Sequence, residues 1–352
     1  MIKKYKIYFP KGIIHCKNYK ERIYLHILEH LIIHSLSKKF CLEIKGSVTF
    51  GYTWFQLSTQ EKDILEIKQF FKNIKKNIRK TPFVIEKKRI FEELLWHRYN
   101  LLDPVKKIEE IIFSKIYNFN LTEPSFSYSS KILKTISLKD IVSFVENFFD
   151  YSEILILELS DNEYKIIKKP EKFIKFDNKV LYHQKKNFFK LKGKKLPSAS
   201  IFVFSFPPDP KTILFINFLG KYLNSLIKEK IISAGLAYSY FYRSYYLFLD
   251  KIIILILIPS SKPQIIFQIF NKFLKTGNLL FYKSFVDFKK NISKMVKTKF
   301  FKYFEPYIVY SIYQNESLYS PQKVLREIKN LKIQDFQSTF KKELIINKLL
   351  MH

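Results

Sequence analysis

Leu25-His26-Ile27-Leu28-Glu29-His30-Leu31 decides how the rest of this chain is read. His26 and His30 are four residues apart. On a helix that spacing stacks both imidazoles on one face, about 6 Å from each other and within reach of a single metal ion. Glu29 sits at the edge of the same face, where a carboxylate can take a proton from a water on that ion. The pattern is H-x-x-E-H. Its alternative is an amphipathic helix that carries two incidental histidines.

A third ligand stands in a suitable place downstream. Val84 to Leu95 reads as a second helix, because Ile85, Ile90, Phe91, Leu94 and Leu95 recur with helical period. Glu86 and Glu93 are two turns apart on it and share a face, while Glu92 points elsewhere, toward solvent. A catalytic zinc takes three protein ligands and leaves a fourth position open.

The run His26-Ile27-Leu28-Glu29-His30, a following strand pair and a Glu-x6-Glu helix together resemble the pitrilysin/insulinase family of zinc metallopeptidases, which includes the mitochondrial processing peptidases. The resemblance implies one Zn2+ per chain, held by His26, His30 and Glu93, with Glu29 as general base. Glu86 would be a carboxylate behind the ligands that fixes their geometry, the other reading being an ordinary solvated side chain. Between the motifs, Thr49, Thr53 and Phe55 match the family's extended segment, although its Asn is absent and the loop is one residue shorter. The resemblance makes Ser47, Val48 and Thr49 an open sheet edge to which substrate adds as a strand. A core hairpin with no substrate role is the alternative.

The second half carries Ala234-Gly235-Leu236-Ala237-Tyr238-Ser239, which closely matches the family's Gly-Leu-Ala-Tyr-Ser. That likeness implies that Tyr238 is catalytic, donating to the developing oxyanion; the alternative is a strand residue packed at the domain interface. The family's Arg seven residues earlier is Ile231 here. Lys228 and Lys230 lie nearby, but an ammonium does not replace a planar guanidinium fork. His34 extends the histidine stripe as a packed or supporting residue, and His97, four residues after Glu93, reads as a surface histidine.

With 352 residues, 47% of them apolar, the chain is long enough for two globular domains. Its formal net charge is +31, yet only six of its 62 basic residues are Arg (Arg22, Arg79, Arg89, Arg98, Arg243, Arg326). A Lys-, Ile-, Phe- and Tyr-rich, Arg-poor composition is what an AT-rich genome encodes. The charge is therefore discounted as a functional signal, and specific nucleic-acid binding, which would better suit clustered Arg and aromatics, is the weakest reading. Cys16 and Cys41 are too few for a disulfide framework and read as buried thiols of a reducing compartment. No signal-peptide pattern opens the chain, and the apolar run Ile252 to Ile258 is too short to span a bilayer. The expected location is cytoplasmic, with no membrane span.

Element order completes the expectation. The first half reads strand, helix (Lys20 to Ser37), strand pair (Cys41 to Leu57), helix (Glu61 to Ile78), the Glu86/Glu93 helix, further helices to Asn147, and a strand at Glu153 to Glu158. The second half reads strand (Ala199 to Phe206), helix (Lys211 to Ile232), strands at Gly235 to Phe241 and Tyr245 to Ile258, then helices to the end. The predicted fold class is α+β: two similar domains, 1–175 with the metal and 190–352 without it, each an antiparallel sheet with helices on one face. The family resemblance makes such a pair half of a clamshell. It implies a zinc-dependent endopeptidase acting on unfolded or presequence-like peptides, as a homodimer or as a heterodimer with a related half. A non-catalytic subunit of such a peptidase is the alternative.

Overall fold

The computed structural model describes residues 2–40, 43–100, 126–160, 163–172, 198–206, 209–247, 251–275, 279–316, 320–335 and 344–350. Cys41, the segment 101–125 within the expected further helices, and the segment 173–197 between the two expected domains lie outside the described residues, as does the side chain of His97. The chain divides into two compact units, one of Met1–Phe176 with Ile312–Asn315 and the other of Asp177–Ser311 with Glu316–His352.

In the first unit, strand β1 (Ile2–Phe9) alternates, so that Tyr5, Ile7 and Phe9 point into one buried core. It leads into helix α1 (Tyr19–Phe40), then the hairpin β2 (Glu43–Val48) and β3 (Thr53–Gln60). Helices α2 (Ile64–Lys72), α3 (Ile74–Ile78) and α4 (Phe83–Asn100) follow, then α5 (Phe126–Thr135) and α6 (Leu138–Phe148). The single helix expected over Glu61 to Ile78 is in fact two, broken at Asn73, whose φ of −110° and ψ of 31° leave the helical region. Helix α6 begins at a capping box in which Ser137 and Asp140 satisfy each other's backbone N–H. Strands β4 (Leu155–Leu159) and β5 (Tyr164–Lys168) complete the unit.

The five strands form one antiparallel sheet in the order β2-β3-β1-β4-β5. Alternate residues Tyr5, Ile7, Phe9, Phe55, Leu57 and Ile156 pack with side chains of all six helices in a single core. Helix α1 lies at the centre of that core. Ile23, Leu25, Ile27, Leu28, Leu31, Ile32 and Leu36 are all buried, which leaves only a narrow polar stripe along the helix.

The second unit repeats this plan. Its sheet has the order β7-β8-β6-β9, built from β6 (Ala199–Phe206), the pair β7 (Phe241–Leu247) and β8 (Lys251–Pro259), and β9 (Leu344–Leu350). In each unit the first strand lies between the second strand of a hairpin and a strand from the end of the unit. Helix α7 (Pro210–Ile227), capped by Asp209, follows β6 as α1 follows β1. Helices α8 (Pro263–Lys275), α9 (Leu279–Tyr313, kinked at Lys299) and α10 (Pro321–Asn330) come next. The chain therefore closes on a strand, not on helices as its sequence implied. Gly235 to Tyr240 is also not a strand: it is an irregular turn that leaves a five-residue π-helical segment, with Gly235 at φ +66°. That left-handed conformation favours glycine and turns the chain before the strand begins at Phe241.

The two units are an α+β fold with an antiparallel sheet and helices in each. Among the described residues no helix is long and apolar enough to cross a membrane. If α1 is the core of the first unit, Leu31→Ala should destabilise that unit by about 2–5 kcal/mol in urea unfolding. Leu65→Ala, at a largely exposed position on α2, should change it by less than about 0.5 kcal/mol.

Candidate metal centre

The polar stripe of α1 is made of His26, His30 and His34, and α4 crosses it. His26 Nε2 lies 3.2 Å from one oxygen of Glu93, and His30 Nε2 lies 3.4 Å from the other. The two imidazole rings stand edge to face, their centroids 4.8 Å apart. One donor atom from each of His26, His30 and Glu93 fits within 4.8 Å of the others, and no other group of three or more His, Cys, Asp or Glu residues among the described residues does so. A tetrahedral zinc with bonds of about 2.0–2.2 Å places its ligands roughly 3.3–3.6 Å apart. The donor set and spacing fit such an ion. The same distances also suit hydrogen bonds that hold the three side chains together without one.

Glu86 lies behind this trio. It is 1% exposed, and its two oxygens serve different partners. Oε2 is 3.4 Å from His30 Nδ1, whereas Oε1 is 2.8 Å from His34 Nδ1 and accepts a hydrogen bond from Arg89 at 2.7 Å. The solvated reading of Glu86 is thus excluded, while Glu92 is exposed as its phase on the helix implied. Sequence reasoning did not single out Arg89. Its i, i+3 spacing from Glu86 on α4 was the available signal.

Glu29 is 8% exposed, and no hydrogen bond or ion pair to its carboxylate is found among the described residues. Burial pushes its pKa up, with the neighbouring His26 and His30 acting in the opposite sense. Burial alone would lower the pKa of His30, but its contacts with Glu93, Glu29 and Glu86 outweigh this and raise it. The hydrogen bonds that His26 and His30 give Glu93 hold its carboxyl well below the usual carboxylate range. One carboxylate is therefore committed and ionised while its neighbour is buried, without a partner among the described residues, and readier to hold a proton. Opposed shifts of this kind separate an anchoring group from a proton carrier.

Strand β2 runs along α1 beside Glu29. A Cβ at Gly46 would come within 2.9 Å of Ile33 Cδ1 and 3.2 Å of Glu29 Oε1, so glycine is what permits this approach. The strand is at the end of the sheet and pairs only with β3 among the described residues. Ser47 and Val48 belong to this edge. Thr49 does not: it lies past the strand, its N–H donates to Tyr52 O at 2.8 Å, and its own carbonyl accepts from Ile13 N at 3.0 Å. Both of its backbone groups are already engaged, which removes it from any open edge.

Tyr238 belongs to the second unit, in the turn after Gly235, and is 96% exposed; it is not packed in a strand. Ile231 is buried, and Lys228 and Lys230 are exposed close to it. Cys16 is a buried thiol whose pKa burial pushes up to about 12, which makes it a poor metal ligand or nucleophile.

No sequence-family profile and no curated protein matches this chain by sequence. Solved structures do match in shape. A protease from Helicobacter pylori is 14% identical over 98% of this chain and 91% of its own, with a TM-score of 0.64. A peptidase M16 inactive domain from Pseudomonas fluorescens is 11% identical over 99% and 92%, at 0.67. The periplasmic protease PqqL from Escherichia coli is 9% identical over 97% of this chain but only 44% of its own, at 0.54. The fold is therefore shared with structures described as proteases and with one described as an inactive M16 peptidase domain.

If the trio holds zinc, the metal-stripped protein should take up one equivalent, and His30→Ala should abolish tight uptake. Because zinc requires a neutral imidazole and the pKa of His30 is raised above its ordinary 6.5, affinity should increase as pH rises through and above that value and fall on acidification. Calorimetric titration at several pH values, with proton release read from the buffer dependence, measures both.

Proposed function

We propose that this chain is the metal-bearing half of a zinc-dependent peptidase that cleaves extended, unfolded peptides. The observation that carries the proposal is Glu29: a buried carboxylate with no hydrogen-bond or ion-pair partner among the described residues, beside two imidazoles and a carboxylate that fit a three-ligand zinc site. A shared fold cannot carry it, since M16-type domains occur with and without activity.

In this reading His26 Nε2, His30 Nε2 and a Glu93 oxygen hold the ion. When bound, zinc supplies Lewis acidity that makes a water nucleophilic near neutral pH and polarises a carbonyl. Glu29 accepts the proton of the attacking water on a carboxylate oxygen and returns it to the leaving amine nitrogen. Its raised pKa suits both halves of that transfer. With the ion bound, Glu86 would accept the proton of His30 Nδ1 and so leave the Nε2 lone pair to the metal.

Substrate would pair with the free edge of β2 over Glu43–Val48, which requires an extended backbone and so favours unfolded segments. Gly46 brings that edge next to Glu29. Tyr238, fully available to solvent, would donate a hydrogen bond to charge developing on the substrate carbonyl oxygen. The chain spans less than half of the PqqL protease, which supports a half-clamshell that works with a second copy or a related partner.

A non-catalytic, substrate-gripping subunit is the second reading. It is favoured by Ile231, a buried apolar residue where the resemblance calls for Arg. Cleavage separates the two. The zinc-loaded chain, isolated with whatever chain copurifies, should cleave an unfolded peptide. Glu29→Gln should keep its zinc and lose roughly 100-fold or more of the turnover. Zinc-bound wild-type protein that cleaves no unfolded peptide would favour the gripping subunit, and full activity in Glu29→Gln would remove Glu29 from the chemistry.

A further inference from the structure

We infer that His34 and Arg89 are positioning residues of the metal centre: together they clamp one oxygen of Glu86 so that its other oxygen fixes the tautomer of His30. The inference rests on the proposed metal site, but extends it to two residues that hold neither metal nor substrate.

The case starts from the cost of burying a carboxylate. Glu86 is 1% exposed, and an ionised group so placed must be compensated by donors on its lone pairs. His30 provides one contact, at 3.4 Å, which is long for a hydrogen bond. The short contacts are on the other oxygen: His34 Nδ1 at 2.8 Å and Arg89 at 2.7 Å. These two donors reach Glu86 from different helices, His34 from α1 and Arg89 from α4 itself. They restrain the carboxylate in position and orientation, as a single donor would not.

The consequence falls on His30. A neutral imidazole carries its proton on either nitrogen, and only the Nδ1–H form presents a lone pair at Nε2. Glu86 Oε2 faces Nδ1, and Glu93 faces Nε2. Without metal the two carboxylates flank His30 at the same 3.4 Å and compete for its proton; once Nε2 is engaged by an ion, Oε2, with Oε1 held by His34 and Arg89, stays turned to His30 and accepts the proton on Nδ1. If Oε1 loses its donors, the carboxylate is free to rotate or to take up a proton, and His30 loses its preference. The third histidine of the α1 stripe thus points its nitrogen at the carboxylate that orients the second.

The test uses the full-length, metal-stripped protein with Zn2+ alone as the probe. His34→Leu and Arg89→Leu should each weaken zinc affinity about tenfold or more, measured by competition with a chromophoric chelator. His34→Asn places an amide donor where Nδ1 stands and should recover most of that loss, which a purely packing role would not produce.

A second measurement needs no metal. Imidazole nitrogen NMR shifts, taken above the titration of His30 in a Glu93→Ala background that removes the competing carboxylate from Nε2, should show mainly the Nδ1–H tautomer, and a mixture when either Leu substitution is added. Arg89 is largely exposed, so Arg89→Leu tests the clamp without opening the core. Unchanged zinc affinity in both Leu variants, or an unchanged His30 tautomer, overturns the inference even if the wild-type protein binds zinc. Failure of the wild-type protein to bind zinc would instead count against the metal site itself, and the tautomer measurement would still decide the clamp.

Discussion

Helix α1 is buried on nearly every side, and one stripe of it is polar. That conflict governs the first unit. Seven aliphatic side chains tie the helix to the sheet and its neighbouring helices, so the half-buried imidazoles of His26, His30 and His34 are held facing α4. They must be satisfied where they stand, and α4 does this with Glu86 and Glu93, two turns apart on one face. The carboxylates in turn need those imidazoles, because Glu86 is as buried as the core around it. Neither helix is satisfied without the other.

Placing the histidine stripe on a helix packed into the core also gives it rigidity. A constellation carried by two packed helices is held more tightly than one on loops, and the edge strand passing at Gly46 lies close enough to bring an extended backbone alongside Glu29. The three carboxylates differ in their surroundings: Glu93 is ionised and held by two imidazoles, Glu86 is held by His34 and Arg89, and Glu29 has no hydrogen-bond or ion-pair partner among the described residues. The second unit repeats the order of the first four strands, without a counterpart of β5 among the described residues and without the H-x-x-E-H sequence. Sheet and helices are thus the frame, and the side chains that α1 and α4 carry distinguish the first unit's site.

Much of this was legible in the sequence because the signals were periodic. The four-residue spacing of His26 and His30 and the seven-residue spacing of Glu86 and Glu93 define helix faces whatever surrounds them. Element order was enough to show a repeated α+β plan. What could not be read were features that depend on the other side of a contact. The closing strand β9 is recognisable only through its pairing with β6. The break at Asn73 and the turn at Gly235 are backbone events with weak side-chain signatures. Thr49 fits an edge-strand pattern, yet its carbonyl is taken by Ile13, from a distant part of the chain. The engagement of Arg89 with a buried carboxylate required knowing that Glu86 was buried.

Diffraction from zinc-soaked crystals, collected on both sides of the zinc absorption edge, addresses the centre most directly. The account predicts a single anomalous peak between α1 and α4, about 2.0–2.2 Å from His26 Nε2, His30 Nε2 and an oxygen of Glu93, with Glu29 close by but not ligating. An empty centre at saturating zinc, or a peak held by other residues while Glu93 stays paired to the imidazoles, would contradict it.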